Sequence, residues 1–199
     1  MAAFNPQTFR AELKGDGARP NLFEIQLTLP SIAAIGNSVS ASQKLSIFAR
    51  ATQLPGSTIG VVPVAYFGRE IKVPGNVTYP EWTVTIINDE DFTLRNSFEK
   101  WLNALNSHRG NLRGANAYSS DDYSVDAHIF QYGKRGPDFG GVGQGLRAGG
   151  ALKKYKMIGA WPSDVSPIEV AWDNNNTIEE FSVTFAYQWW EDESAGVTT

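Results

Sequence analysis

A chain of 199 residues fits one domain, 1–199, and at that size folding buries about 70% of the unfolded surface, so no disulfide or structural metal is needed to hold a core. The absence of cysteine excludes a thiol nucleophile and thiolate zinc or iron–sulfur sites, and two histidines leave little for acid–base or metal-ligand chemistry. Seventeen basic against 21 acidic residues, net −4, argues against a surface built to grip phosphates, though a protein that lets nucleic acid pass without sticking has the same balance.

The first ten residues lack the basic and apolar regions of a secretory leader, and no run approaches the roughly 18 apolar residues of a membrane span. Synthesis in the cytoplasm is expected, and the sequons at Asn76 and Asn175 read as turn sequence.

In chain order, Phe23, Ile25, Leu27 and Leu29 alternate with polar residues, which places them on one face of a strand. Leu45, Ile47, Ala49 and Ala51 repeat the pattern. Residues 53–76 carry Pro55, Gly56, Gly60, Pro63, Gly68, Pro74 and Gly75, spaced like turns around a long hairpin. Ile59, Val61, Val62, Val64, Tyr66 and Phe67 make it too apolar to stand in water, so it should lie against its own sheet or another subunit. Trp82, Val84 and Ile86 predict the next strand.

The alternation then breaks. Over 91–106, Leu94, Phe98, Trp101, Leu102 and Leu105 recur at spacings of three and four, predicting one helix with one buried stripe. Asn88, Asp89, Glu90 and Asp91 suit the helix start better than a metal, lacking calcium-loop spacing; His108 and Arg109 suit its end, and Gly110 stops it. Strands are predicted again at Val125, Ala127 and Ile129, at Tyr155, Met157, Gly159 and Trp161, and at Ile168, Val170 and Trp172. The clearest carries Phe181, Val183, Phe185, Tyr187 and Trp189 on one face. Clean alternation marks antiparallel strands. Residues 133–150 hold eight glycines and read as a mobile loop, while 191–199 read as a flexible acidic tail.

Candidate chemistry is thin. Gly143, Gly145 and Ala148 match G-x-G-x-x-A, but the glycines flanking them do not permit a helix to open there, so a surface loop is the better reading than a phosphate cradle. His108 reads as a helix-end charge and His128 as a wet-face strand residue. Lys153, Lys154 and Lys156 could hold phosphate, yet Lys154 and Lys156 fall on the wet side of a strand. Trp189 and Trp190 must point to opposite faces, one into the core and one outward, and an outward indole marks an interface as readily as a ligand site. Neither a cofactor nor a catalytic set is indicated. Long strands with free edges and apolar excursions point instead to assembly, in which a barrel shared by several subunits removes the edges by closure.

The blocks FARATQLPGSTIG, YFGREIKVPG, YPEWTVTIINDEDFTLRNSFEKWLNALN and NTIEEFSVTFAYQWW closely resemble the tail tube proteins of contractile-tailed bacteriophages, in order, from about residue 19 to 190. The resemblance implies a mainly β, antiparallel sandwich or barrel-like subunit with one flanking helix, joined into hexameric rings that stack as a hollow tube inside a sheath. It places Leu54, Pro55, Gly56, Ile59, Tyr66, Phe67 and Gly68 at contacts between rings, and Phe98, Trp101 and Leu105 in packing the helix to the subunit. It implies as partners other copies of the chain, a tail sheath protein, a baseplate tube initiator, a tail terminator, a tape measure protein, and double-stranded DNA that passes without tight binding. Wet-face Thr, Ser, Gln and Glu would line that channel. The inner tube of a phage-derived bacteriocin or another contractile injection device would share these features. From other classes, a carbohydrate-binding β-sandwich would use exposed Trp, and a hydrolase would need carboxylates gathered in a pocket.

Overall fold

A computed structural model describes residues 5–13, 17–33, 38–133 and 151–194. The clearest alternations become the central strands. In β5 (Trp82–Ile87) and β8 (Glu180–Ala186) every second side chain is buried. They pair antiparallel, Trp82 opposite Phe185 and Ile86 opposite Phe181, with the Trp82 and Phe185 rings 5.0 Å apart. On the outer side of β5 lies β2 (Ala49–Thr52), and beyond β8 lies the last third of β7 (Ala151–Val165). The first two thirds of β7 pair instead with β6 (Val125–Tyr132), which carries β1 (Phe23–Leu27) on its far side, while the short β9 (Trp189–Asp192) occupies the other flank.

One long strand therefore serves two sheets, β1-β6-β7-β9 and β7-β8-β5-β2, and the turn from one to the other is local. Between Val125 and Ala127 of β6, β7 runs from Ala160 to Met157, one residue too many, and Gly159 takes φ +65°. Such a bulge bends a strand and reverses its facing. Met157 is buried before it, Ala160 and Pro162 after it. The predicted single face through Tyr155, Met157, Gly159 and Trp161 is thereby broken, leaving Trp161 only half-buried.

Helix α3 (Thr93–Leu105) fills the predicted place, burying Leu94, Phe98 and Trp101. Phe98 lies 5.9 Å from the Phe185 ring and 6.4 Å from that of Phe181, and the Trp101 indole donates to the Tyr123 carbonyl at 2.9 Å. Leu105 is half-buried against the same core. The acidic residues before the helix do less capping than expected. The N-cap is Phe92, at φ +52°. Asp91 accepts from the Thr93 amide, and Lys44 holds both Asp89 and Asp91. Nor does Gly110 end the helix: Asn106 is already extended, and Asn111 supplies the left-handed residue at φ +50°.

Single-helix flanking is not the whole helical content. Where Leu45 and Ile47 predict a strand, α2 (Ser38–Phe48) forms. Ala41 and Leu45, one turn apart, enter the core and Ile47 is left 77% exposed. Alternation over two apolar residues is too short to outweigh that i, i+4 pair. Two short helices, α1 (Pro6–Glu12) and α4 (Ser120–Tyr123), are capped by Asn5 and by a Ser119–Asp122 capping box and bury nothing.

Two further expectations fail. Ile168, Val170 and Trp172 form no strand: only Ile168 packs on the core, and a turn follows at Ala171–Asn174. The last predicted strand ends at Ala186, the chain switches sheets at Gln188, whose amide donates to the Ile158 carbonyl, and β9 starts with reversed facing. Trp190 consequently packs on the core and against Tyr155, whereas Trp189 faces outward. The start of the expected tail is docked, since Asp192 pairs with Lys153 and Glu193 with Lys154. The glycine-rich loop beyond Gly133 and residues 195–199 lie outside the described residues.

Candidate assembly interface

The 53–76 segment forms the hairpin its turns predict. Strands β3 (Thr58–Tyr66) and β4 (Arg69–Thr78) pair only with each other, so the alternative of packing on its own sheet is not realised among the described residues. Phe67 and Gly68 make the two-residue turn, at φ +45° and +76°. Positive φ at both central positions is the type I′ geometry that matches strand twist. Near the base, a bulge between Ile59 and Val61 brings Gly60 and Gly75 together. A Cβ on Gly75 would lie 3.0 Å from Val62 Cγ2 and 3.2 Å from the Gly60 carbonyl oxygen. The approach to the hairpin, through Leu54, Pro55 and Gly56, is pinned to β9, because the Trp190 indole donates to the Gly56 carbonyl at 3.0 Å.

Its surface is unlike the rest of the molecule. Ile59, Val61, Val62, Val64, Tyr66, Phe67, Ile71, Val73 and Val77 are all exposed, Phe67 at 91%. Residues directly opposite in an antiparallel pair share a face. One face thus gathers Val62, Val64, Tyr66, Ile71 and Val73 with Arg69 at the tip, while the other carries Pro63, Glu70 and Lys72. An isolated two-stranded hairpin is marginal in water, and apolar area on this scale marks a contact surface.

The two main sheets differ in the chemistry they turn outward. On β7-β8-β5-β2, Thr83 bonds Thr184 and Thr85 bonds Ser182, each at 3.3 Å between hydroxyl oxygens, giving a neutral ladder. Among the described residues its only charged pair is Arg50 with Glu180, at one end, and Asp164, opposite Thr184, adds one exposed carboxylate. On β1-β6-β7-β9 the outward residues are ionic. Lys153 pairs with Asp192, Lys154 with Glu193, and Lys156 with Asp126 at 2.9 Å. The hydrogen bond from Lys153 holds the Asp192 carboxyl at about 2, below the usual carboxylate range. Burial, reinforced by Lys154, pushes His128 below its ordinary value, so it is a poor cation at neutral pH. The lysine cluster is accordingly neutralised by partner strands rather than open to phosphate. Free backbone edges remain at β2 and the end of β7 in one sheet, and at β1 and β9 in the other, among the described residues.

A family model described as "Phage tail tube protein" matches residues 18–193. The chain belongs to the phage tail tube protein family. Tail tube protein gp19 of Enterobacteria phage T4 is 30% identical over 182 residues, 92% of this chain and 96% of that protein. The tail tube protein of Serratia phage KSP90 is 24% identical over 190 residues, 94% of this chain and 95% of that one. Among solved structures, a chain of the six-fold symmetrised anti-feeding prophage baseplate superposes with a TM-score of 0.57 at 12% identity, covering 90% of this chain and 97% of its own. A chain of the sheath–tube complex of an extracellular contractile injection system gives 0.55 at 12%, covering 97% and 100%. The likeness to both is one of fold.

This tail tube protein is thus a structural component of the virion, and no helix among its described residues is long and apolar enough to cross a membrane. Of the residues singled out from sequence, the structure groups Phe98, Trp101 and Leu105 in the core and Ile59, Tyr66, Phe67 and Gly68 on the hairpin, with Leu54, Pro55 and Gly56 at its base. Sequence reasoning missed the exposed segment 166–179. Its signal was legible as Pro167, the Asp173–Asn176 turn cluster and acidic residues around apolar ones.

Proposed function

We propose that copies of this tail tube protein join edge to edge as hexameric rings, and that the rings stack into the inner tube of a contractile tail through which the genome passes. The observation that carries the reading is the hairpin, a long apolar ribbon that pairs with no other strand among the described residues and leaves its apolar side chains exposed. Leu54, Pro55, Gly56, Ile59, Tyr66, Phe67 and Gly68 contact the next ring in this reading, and the whole chain acts as one domain. The β7-β8-β5-β2 sheet suits the lumen: it has four strands, an open edge on each side for neighbouring subunits, and a hydroxyl-lined outer face. A wall of Thr and Ser, whose one described cation Arg50 is paired with Glu180, offers DNA phosphates neither an unpaired cation to bind nor a dense negative charge to climb over. The ionic sheet then faces away from the channel.

The outside and ends of such a tube meet a sheath protein, an initiator at the baseplate and a terminator, and its lumen holds the tape measure protein before DNA. The role is mechanical and needs no catalysis. Negative-stain electron microscopy of the purified protein over a concentration series tests it. Hollow tubes of uniform width are expected above a threshold; compact monomers at every concentration, with or without baseplate seeds, would refute the reading. Placing lysine at Thr85 or Thr184 should leave tubes intact and slow genome ejection.

A further inference from the structure

The hairpin is not the only uncovered apolar feature. Residues 166–179 link β7 to β8, and within them Val170, Trp172 and Ile178 are exposed, Trp172 at 104%. The segment holds Glu169, Asp173 and Glu179 and no Lys or Arg. Glu179 accepts from Asn88, whereas Glu169 and Asp173 have no ion-pair partner among the described residues.

Sheet register places the two features at opposite ends of one sheet. The hairpin leaves after Thr52 and returns at Trp82, which lies opposite Phe185. Segment 166–179 leaves after Val165 and returns at Glu180, which lies opposite Ile87, the far end of β5. The length of β5 separates these ends by roughly 17 Å. Among the described residues the hairpin strands pair only with each other, so the hairpin extends from its own end of the sheet and does not join the strands that lead to the segment. Two different surfaces on opposite ends are what a head-to-tail contact requires, and repetition of such a contact builds an open stack rather than a closed pair.

The chemistry is complementary as well. The apolar hairpin face presents Val64, Tyr66 and Ile71 with one cation, Arg69; the segment presents Val170, Trp172 and Ile178 with two unpaired carboxylates. We infer that segment 166–179 is the seat for the hairpin of a second copy of this chain, its apolar side chains covering the hairpin face while Glu169 and Asp173 meet Arg69. The inference rests on the stacked-ring reading above and gives it the receiving half of the contact.

Charge reversal tests it. Arg69→Glu alone and Glu169→Lys with Asp173→Lys should each raise the polymerisation threshold about tenfold or more, since each replaces attraction by like-charge contact. The chain carrying all three substitutions should recover a threshold near that of the unmodified protein. All these positions are exposed and away from the core, so circular dichroism and the thermal midpoint should not move; Trp172→Ser, likewise fully exposed, should lose polymerisation without unfolding. Tubes forming at the ordinary threshold from both reversed variants, or failure of the folded triple variant to recover, would overturn the inference and leave the ring reading standing. Failure of the unmodified chain to form tubes would remove both.

Discussion

Phe67 separates what stabilises the subunit from what joins subunits. It is a bulky residue held at φ +45°, 91% exposed, at the first central position of a type I′ turn whose preferred residue is Asn. The left-handed conformation costs a non-glycine residue roughly 1–2 kcal/mol, and among the described residues its only close ring contact is Tyr66, at 4.6 Å. Within the monomer, therefore, Phe67 gains little from its surroundings. If its ring is buried in the next ring's contact, removing it forfeits about 2 kcal/mol per subunit, the value of sequestering a Phe side chain. Phe67→Asn should then raise the polymerisation threshold about 30-fold, at 1.4 kcal/mol per decade. Its thermal midpoint should hold or rise by no more than about 4 °C as turn strain is relieved. Sedimentation of polymer across a concentration series, paired with a melt followed by circular dichroism, reads both quantities. A midpoint that falls several degrees, or polymer that forms at the unchanged threshold, would refute this reasoning.

Other outcomes follow from the core and the corners. Phe98→Ala empties a site closed by Phe181, Phe185 and Trp101, and should cost about 3–5 kcal/mol, read as a drop on the order of 10 °C in melting; a loss under about 1 kcal/mol would mean the helix is not seated as described. Gly159→Ala forces a Cβ onto φ +65° and to 3.3 Å from Gln188 Cγ, so about 1–2 kcal/mol of destabilisation is expected from chemical denaturation, against a near-neutral result if the bulge is relaxed. The Asp192 carboxyl, held at about 2 against an ordinary 3.8, ties β9 to β7 fully above the ordinary value and lets go as pH falls through about 2. Protection factors over Trp189–Asp192, taken against the intrinsic exchange rate at each pH, should fall across that window, and Asp192→Asn should show the lower protection already at neutral pH.

How far the sequence foretells this molecule depends on how far each signal is local. Strands β5 and β8 and helix α3 are legible because each carries at least three apolar residues at one period, enough to define a face. The hairpin is legible from Pro and Gly spacing. What local pattern does not contain is partnership. Leu45 and Ile47 alternate for too few residues to distinguish a strand from a helix, and the pairing of Ala41 with Leu45 on the core decides for α2. Ile168, Val170 and Trp172 alternate well but pair with no strand among the described residues, so they remain irregular. The bulge at Gly159 and the corner at Gln188 reverse facing along otherwise regular strands, and for that reason Trp161 and Trp189 do not lie where alternation places them. The lysine cluster acquires its meaning only when Asp192, Glu193 and Asp126 arrive from other strands.

A cryo-EM reconstruction of tubes grown from the purified protein, at a resolution that shows side chains, tests the central claim most directly. Six subunits per ring are expected, with the Phe67 hairpin seated in the adjoining ring and the Thr83, Thr85, Ser182 and Thr184 ladder facing the lumen. A hairpin lying free in solvent, or a channel lined by the Lys153, Lys154 and Lys156 face, would contradict it.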